Sequence, residues 1–128
     1  MMLAPDKPDL SGLRVLVVED ALLIADLIVE ALDDHGCSVV GPVPRLGQGL
    51  ALATVEQLDG ALLDVNLAGE RCFPIAEALA ARGIPFVLLT GYGDAGIPSE
   101  YRGATRLTKP FHIDSLVELV ARRFGVRV

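Results

Sequence analysis

The sequence is short of most features that would place it on a nucleic acid, in a membrane or outside the cell. Its 11 Lys and Arg are outnumbered by 17 Asp and Glu, for a net charge of −6, whereas a nucleic-acid surface needs a basic patch. Its apolar runs, such as Ala21 to Ala25, fall far short of the ~20 residues that cross a bilayer as a helix. No basic stretch followed by an apolar core opens the chain, so no signal peptide is visible. The two cysteines, Cys37 and Cys72, match no metal or redox spacing and read as reduced thiols of a cytoplasmic protein. The two histidines, His35 and His112, are isolated and suit surface or capping roles.

What is present is a well-stocked core. Hydrophobic residues make up 52% and charged residues 22% of 128 residues, which excludes a disordered chain and suits one domain. Residues 1–12, with Pro5 and Pro8, read as a loose arm, and 13–128 as a single domain with no output domain after it. Arg14 to Val18, Ser38 to Gly41, Ala61 to Asp64, Pro85 to Leu89 and Thr105 to Thr108 read as short strands. Between them, Ala21 to His35, Leu46 to Leu58, Phe73 to Arg82 and Ile113 to Phe124 read as helices. In the first helix Ile24, Leu27, Ile28, Ala31 and Leu32 form the expected apolar face. Asp26, Glu30, Asp33 and Asp34 form a solvated or docking face.

Alternating strands and helices with apolar strands predict an α/β fold, a parallel sheet covered on both faces. One stretch breaks the alternation. Gly91, Gly93, Gly96, Pro98 and Gly103 leave room for at most one short turn around Pro98 to Tyr101.

Ligands of open parallel sheets bind at the carboxyl ends of the strands. There stand Glu19 and Asp20, then Asp64, then Thr90 and Gly91, then Lys109. The second strand ends at Gly41-Pro42 with nothing reactive. Each residue alone has a plainer role: Asp20 as a helix N-cap, Glu19 and Lys109 as solvated strand ends, Thr90 as a turn start. Asp64 is harder to dismiss, because a carboxylate among apolar neighbours is costly unless something pairs with it. Together the residues suit a hard cation beside an anion. Mg²⁺ would relieve carboxylate repulsion, with the Asn66 backbone carbonyl a further ligand. Asp64, the lone acid on its strand, is the natural nucleophile toward phosphorus. Lys109, the Thr90 hydroxyl and the Gly91 N–H would stabilise the transferred charge.

Four pieces now carry a resemblance: Val-Val-Glu-Asp ending at Asp20, Leu-Leu-Asp-Val-Asn around Asp64, Leu-Thr-Gly ending at Gly91, and Lys-Pro-Phe from Lys109. In this order the chain resembles the receiver domain of bacterial two-component response regulators, over roughly Leu13 to Phe124. The resemblance implies a flavodoxin-like, doubly wound sheet of order 2-1-3-4-5 with a short or absent fourth helix. It implies a phosphoryl group on Asp64, delivered by a histidine kinase or phosphotransfer protein. Glu19 and Asp20 would hold Mg²⁺, Lys109 the phosphoryl oxygens, and Thr90 would be the switch hydroxyl. The family often has a cis Lys-Pro bond.

Thr90-Gly91-Tyr92-Gly93 is similar to a subgroup with a Phe-Ala-Thr-Gly motif, which tends to be paired with HWE-type histidine kinases. Arg106 stands where many members carry a switch aromatic. The switch region is thus expected at Thr90, Tyr92 and Arg106, with Arg106 solvated or paired to an acid and the readout falling on 91–103. The output of a stand-alone receiver would be phosphorylation-dependent protein binding, to an unknown partner. An aspartyl-nucleophile phosphatase is the runner-up, but Asn66 occupies the place of its usual second acid. A docking module that takes no phosphate is disfavoured by the complete set of Glu19, Asp20, Asp64, Thr90 and Lys109.

Overall fold

The five expected strands form one sheet in the computed structural model, which describes residues 8–91 and 96–125. In chain order the elements are β1 (Arg14–Val18), α1 (Leu22–Asp34), β2 (Ser38–Val43), α2 (Leu46–Val55) and β3 (Gly60–Asp64). A hairpin of β4 (Asn66–Leu67) and β5 (Glu70–Arg71) follows, then α3 (Phe73–Ala81) and β6 (Phe86–Thr90). A 3₁₀ turn (Ser99–Tyr101), β7 (Arg106–Thr108) and α4 (Ile113–Phe124) complete the chain. The main sheet runs β2-β1-β3-β6-β7, parallel throughout. Setting the hairpin aside, this is the expected flavodoxin-like order, and the fourth helix is reduced to the expected short turn.

The central strands β1, β3 and β6 are buried on both faces, and their alternate residues feed two cores. Val15, Val17, Leu62 and Val87 pack with Ile28 and Leu32 of α1 and Leu116 and Val120 of α4. Leu16, Val18, Leu63 and Leu88 pack with Ala53 of α2 and Ile75 and Leu79 of α3. Gly60 lets α4 come close: a Cβ there would lie 2.3 Å from the Phe124 ring. Among the described residues no helix is long and apolar enough to cross a membrane.

Several expectations need correction. The arm is not loose over its last residues. Leu10 is fully buried and its N–H donates to the His35 carbonyl at 2.8 Å, so packing begins before Leu13. Leu27 is not on the buried face of α1 but 60% exposed. The helix seats itself on Ala25, Ile28 and Leu32, and this narrower stripe turns Leu27 outward. Helix α2 stops at Val55 instead of Leu58. The chain turns extended at Glu56, where Arg14 of β1 meets the Glu56 carboxylate at 2.8 Å and the Gln57 carbonyl at 2.7 Å. Strand β2 runs on to Val43, past a bulge at Gly41-Pro42. The peptide bond there is cis, as is Lys109-Pro110. Both histidines flank helices: His35 follows α1, with Nδ1 2.8 Å from the Ala31 carbonyl, and His112 precedes α4.

Candidate functional site

Each strand of a parallel sheet delivers its last residues to the same rim, and here β1 and β3 together deliver three acids. Glu19, Asp20 and Asp64 each place a carboxylate oxygen within 4.8 Å of the others. Glu19 and Asp64 are buried, and Asp20 is exposed. Lys109 enters from the end of β7, positioned by its own N–H, which donates to the Thr90 carbonyl at 2.7 Å. Its Nζ lies 2.8 Å from Glu19 Oε1 and 3.2 Å from Asp64 Oδ2. The contact with Glu19 Oε1 is an ion pair at an angle that makes no hydrogen bond. Glu19 Oε2 accepts the Ala21 N–H at 3.1 Å.

Asp20 does not cap α1. The residue at the cap position is Ala21, and no side chain closes that end. Instead Asp20 Oδ2 accepts the Ala68 N–H across the rim at 3.0 Å. Asp64 Oδ1 accepts the Asn66 N–H at 3.1 Å, and Asn66 Oδ1 accepts the Gly69 N–H at 2.9 Å. The hairpin β4–β5 is thereby folded over the acids. Its turn needs left-handed backbone at Gly69 and, at a steric cost, at Ala68, whose φ is 54°.

Three acids around one ammonium leave charge unbalanced. Burial, then Glu19 and Asp20, push Asp64 up to about 8, with Lys109 pulling the other way. Burial would also raise Asp20, but its interactions with Asp64 and the Ala68 N–H outweigh it and hold Asp20 below the usual range. Burial works against the Lys109 charge, yet Glu19 and Asp64 win and raise its pKa. The donor set is all oxygen, compact and anionic, which fits a hard divalent cation such as Mg²⁺. Thr90 is buried at the end of β6, and Gly91 follows on the surface.

The structure thus brings Glu19, Asp20, Asp64 and Lys109 together at one rim, with Thr90 and Gly91 ending the adjoining strand. Tyr92 lies outside the described residues. Arg106, half-buried in β7, donates from Nη2 to the Arg102 carbonyl. Residues the sequence did not single out also matter. Ala68 acts through its backbone alone, so no side chain signals it. Arg71 donates to the Gly96 carbonyl at 2.6 Å. Tyr101 stacks on Phe73 with centroids 5.1 Å apart. Cys72, beside the site, and Cys37 are buried free thiols pushed up to about 12 and about 11, burial being the main cause, so both are poor nucleophiles.

A family model described as the response regulator receiver domain matches residues 15–121. Among solved structures, SdrG from Sphingomonas melonis Fr1 is 41% identical, with a TM-score of 0.75 over 85% of this chain and 93% of that one. A BeF3-activated conformation of SdrG, attributed to Pseudomonas melonis Fr1, is 40% identical with a TM-score of 0.71 over 84% and 92%. The response regulator PhyR from Brucella abortus is 26% identical, with a TM-score of 0.80 over 94% of this chain and 51% of that one. The transcriptional regulatory protein TcrA of Mycobacterium tuberculosis is 33% identical over 114 residues, 83% of this chain and 44% of its own length. The chain spans under half the length of the curated relatives it matches.

Proposed function

The chain belongs to the response regulator receiver family, and from that premise we propose that Asp64 accepts a phosphoryl group from a histidine kinase or phosphotransfer protein. The observation that carries this reading is the Lys109 ammonium, 2.8 Å from Glu19 and 3.2 Å from Asp64, inside a cluster of three acids. An Asp64 oxygen attacks phosphorus, the phosphorus–nitrogen bond of a phosphohistidine breaks, and the imidazole leaves with the electron pair. Lys109 meets the charge of the arriving oxygens, and the Thr90 hydroxyl and Gly91 N–H complete their contacts. A Mg²⁺ ion held by Glu19, Asp20, Asp64 and the Asn66 carbonyl would neutralise the acids and favour the ionised, nucleophilic form of Asp64.

The domain is a signalling module rather than an enzyme with a released product. Its output, on this reading, is phosphorylation-dependent binding of another protein. The Thr90-Gly91 motif supports a kinase of the HWE type as donor. Two buried free thiols suit the reducing cytoplasm. The donor's docking site is supported by α1, which exposes Leu22, Leu23 and Leu27 to 73%, 78% and 60%. Leu27 and Ile24 line a groove of about 420 Å³ with Lys109, Pro110 and Phe111, at the edge of the acid cluster. Intact-protein mass spectrometry after incubation with acetyl phosphate and Mg²⁺ tests the central step. The wild type gains one phosphoryl group and Asp64→Asn gains none; equal gains in both would overturn the reading.

A further inference from the structure

The hairpin β4–β5 touches the acid cluster at one end and a different part of the molecule at the other. At the cluster, the Asn66 N–H holds Asp64 Oδ1 at 3.1 Å and the Ala68 N–H holds Asp20 Oδ2 at 3.0 Å. At the far end of the same six residues, the Arg71 guanidinium donates to the Gly96 carbonyl at 2.6 Å and lies 5.7 Å from the centre of the Phe73 ring. Gly96 opens the strap from 96 to 104. Its φ is +77°, and a Cβ there would lie 2.7 Å from Arg71 Nη2, so the close approach suits glycine. Tyr101, within the strap, stacks on Phe73 and meets Phe86 edge-on at 6.2 Å. Arg106 fastens the strap's other end through the Arg102 carbonyl.

We propose that Arg71 is a positioning residue for the metal-binding acids, acting through the hairpin, and that it couples their occupancy to the strap at Gly96. The proposal rests on the reading of the site as a Mg²⁺ and phosphoryl site. Anchoring β5 to Gly96 fixes the hairpin, and the fixed hairpin presents the Ala68 N–H that orients Asp20. A cation that draws on Asp20, Asp64 and the Asn66 carbonyl pulls on that same hairpin. Coupling of this kind is reciprocal. If the Arg71 anchor favours cation binding, the cation must favour the anchored strap. The left-handed backbone of Ala68 carries a steric cost, so the turn holds its shape through the contacts around it, the Asp20 bond among them.

The test is a Mg²⁺ titration of the full chain followed by the amide NMR shifts of Asn66, Ala68 and Gly96. In the wild type all three move with one midpoint. In Arg71→Ala, Asn66 and Ala68 still move, their midpoint rises by about threefold or more, and Gly96 no longer follows. Arg71→Gln removes the charge but keeps a donor for the Gly96 carbonyl, so Gly96 continues to follow. This variant matters because losing a nearby positive charge by itself should tighten cation binding. A lowered midpoint in Arg71→Ala, or a Gly96 that follows Mg²⁺ equally in every variant, overturns the coupling and leaves the site reading intact. No movement of Asn66 in the wild type overturns both.

Discussion

Asp64 is held between opposing influences, and its titration should be visible in stability. Burial, then Glu19 and Asp20, raise its pKa from 3.8 to about 8 in the metal-free fold. Between those values the folded chain keeps a proton that the unfolded chain releases, so stability falls as pH rises. The lowered pKa of Asp20 matters only on its acidic side, as pH falls through it, and the raised pKa of Lys109 only above 10.5. Thermal melts in chelator should show the wild type losing about 1–3 kcal/mol between about pH 5 and about pH 8 relative to Asp64→Asn, since each unit is worth up to about 1.4 kcal/mol. Parallel pH profiles would remove the extra proton from Asp64. Asp20 gives a second test at this scale. If it were a helix cap, Asn would replace it at almost no cost. Its carboxylate instead faces Ala68 and the other acids. Asp20→Asn should therefore weaken Mg²⁺ binding by about tenfold or more in a calorimetric titration, with the melting temperature in chelator nearly unchanged. Unchanged affinity would return Asp20 to a minor role.

The elements show which features a sequence reveals. The central strands are legible because parallel strands buried on both faces read as unbroken apolar runs, as in Leu62 and Leu63. The site was legible because such strands end at one rim, so Glu19, Asp20, Asp64 and Lys109 could be gathered without knowing a single distance. The hairpin β4–β5 was not legible: two residues per strand carry no periodicity, and its anchor to Asp20 is a backbone N–H. Leu27 reads as core in the sequence but is exposed, because an apolar residue on the margin of a helical stripe looks the same whether it faces the core or a partner. That margin is testable. Leu27→Asp should slow phosphorylation by a protein donor in a radiolabel-transfer assay and leave acetyl phosphate labelling unchanged; equal slowing with both donors would mean damage to the site. At the sheet's other end, Gly60→Ala should cost about 1–3 kcal/mol in urea unfolding, because its methyl group would meet the Phe124 ring. A neutral result would show that α4 can shift.

Across the whole molecule, two cores flank one five-stranded sheet, and its carboxyl edge gathers charge that the fold alone does not balance. The acids repel, one ammonium answers them, and the remaining demand is for a cation and an anion together. On the proposed function, Asp64 is the residue that receives the phosphoryl group. An acyl phosphate is reduced by borohydride to an alcohol, whereas a free carboxylate is not, so the acceptor can be read residue by residue. The chain should be incubated with acetyl phosphate and Mg²⁺, reduced with borohydride, digested and sequenced by mass spectrometry. Homoserine should appear at position 64 and be absent when Mg²⁺ is chelated. Homoserine at position 20, or at no position while the Mg²⁺ titration still moves Asn66, would contradict the proposed function.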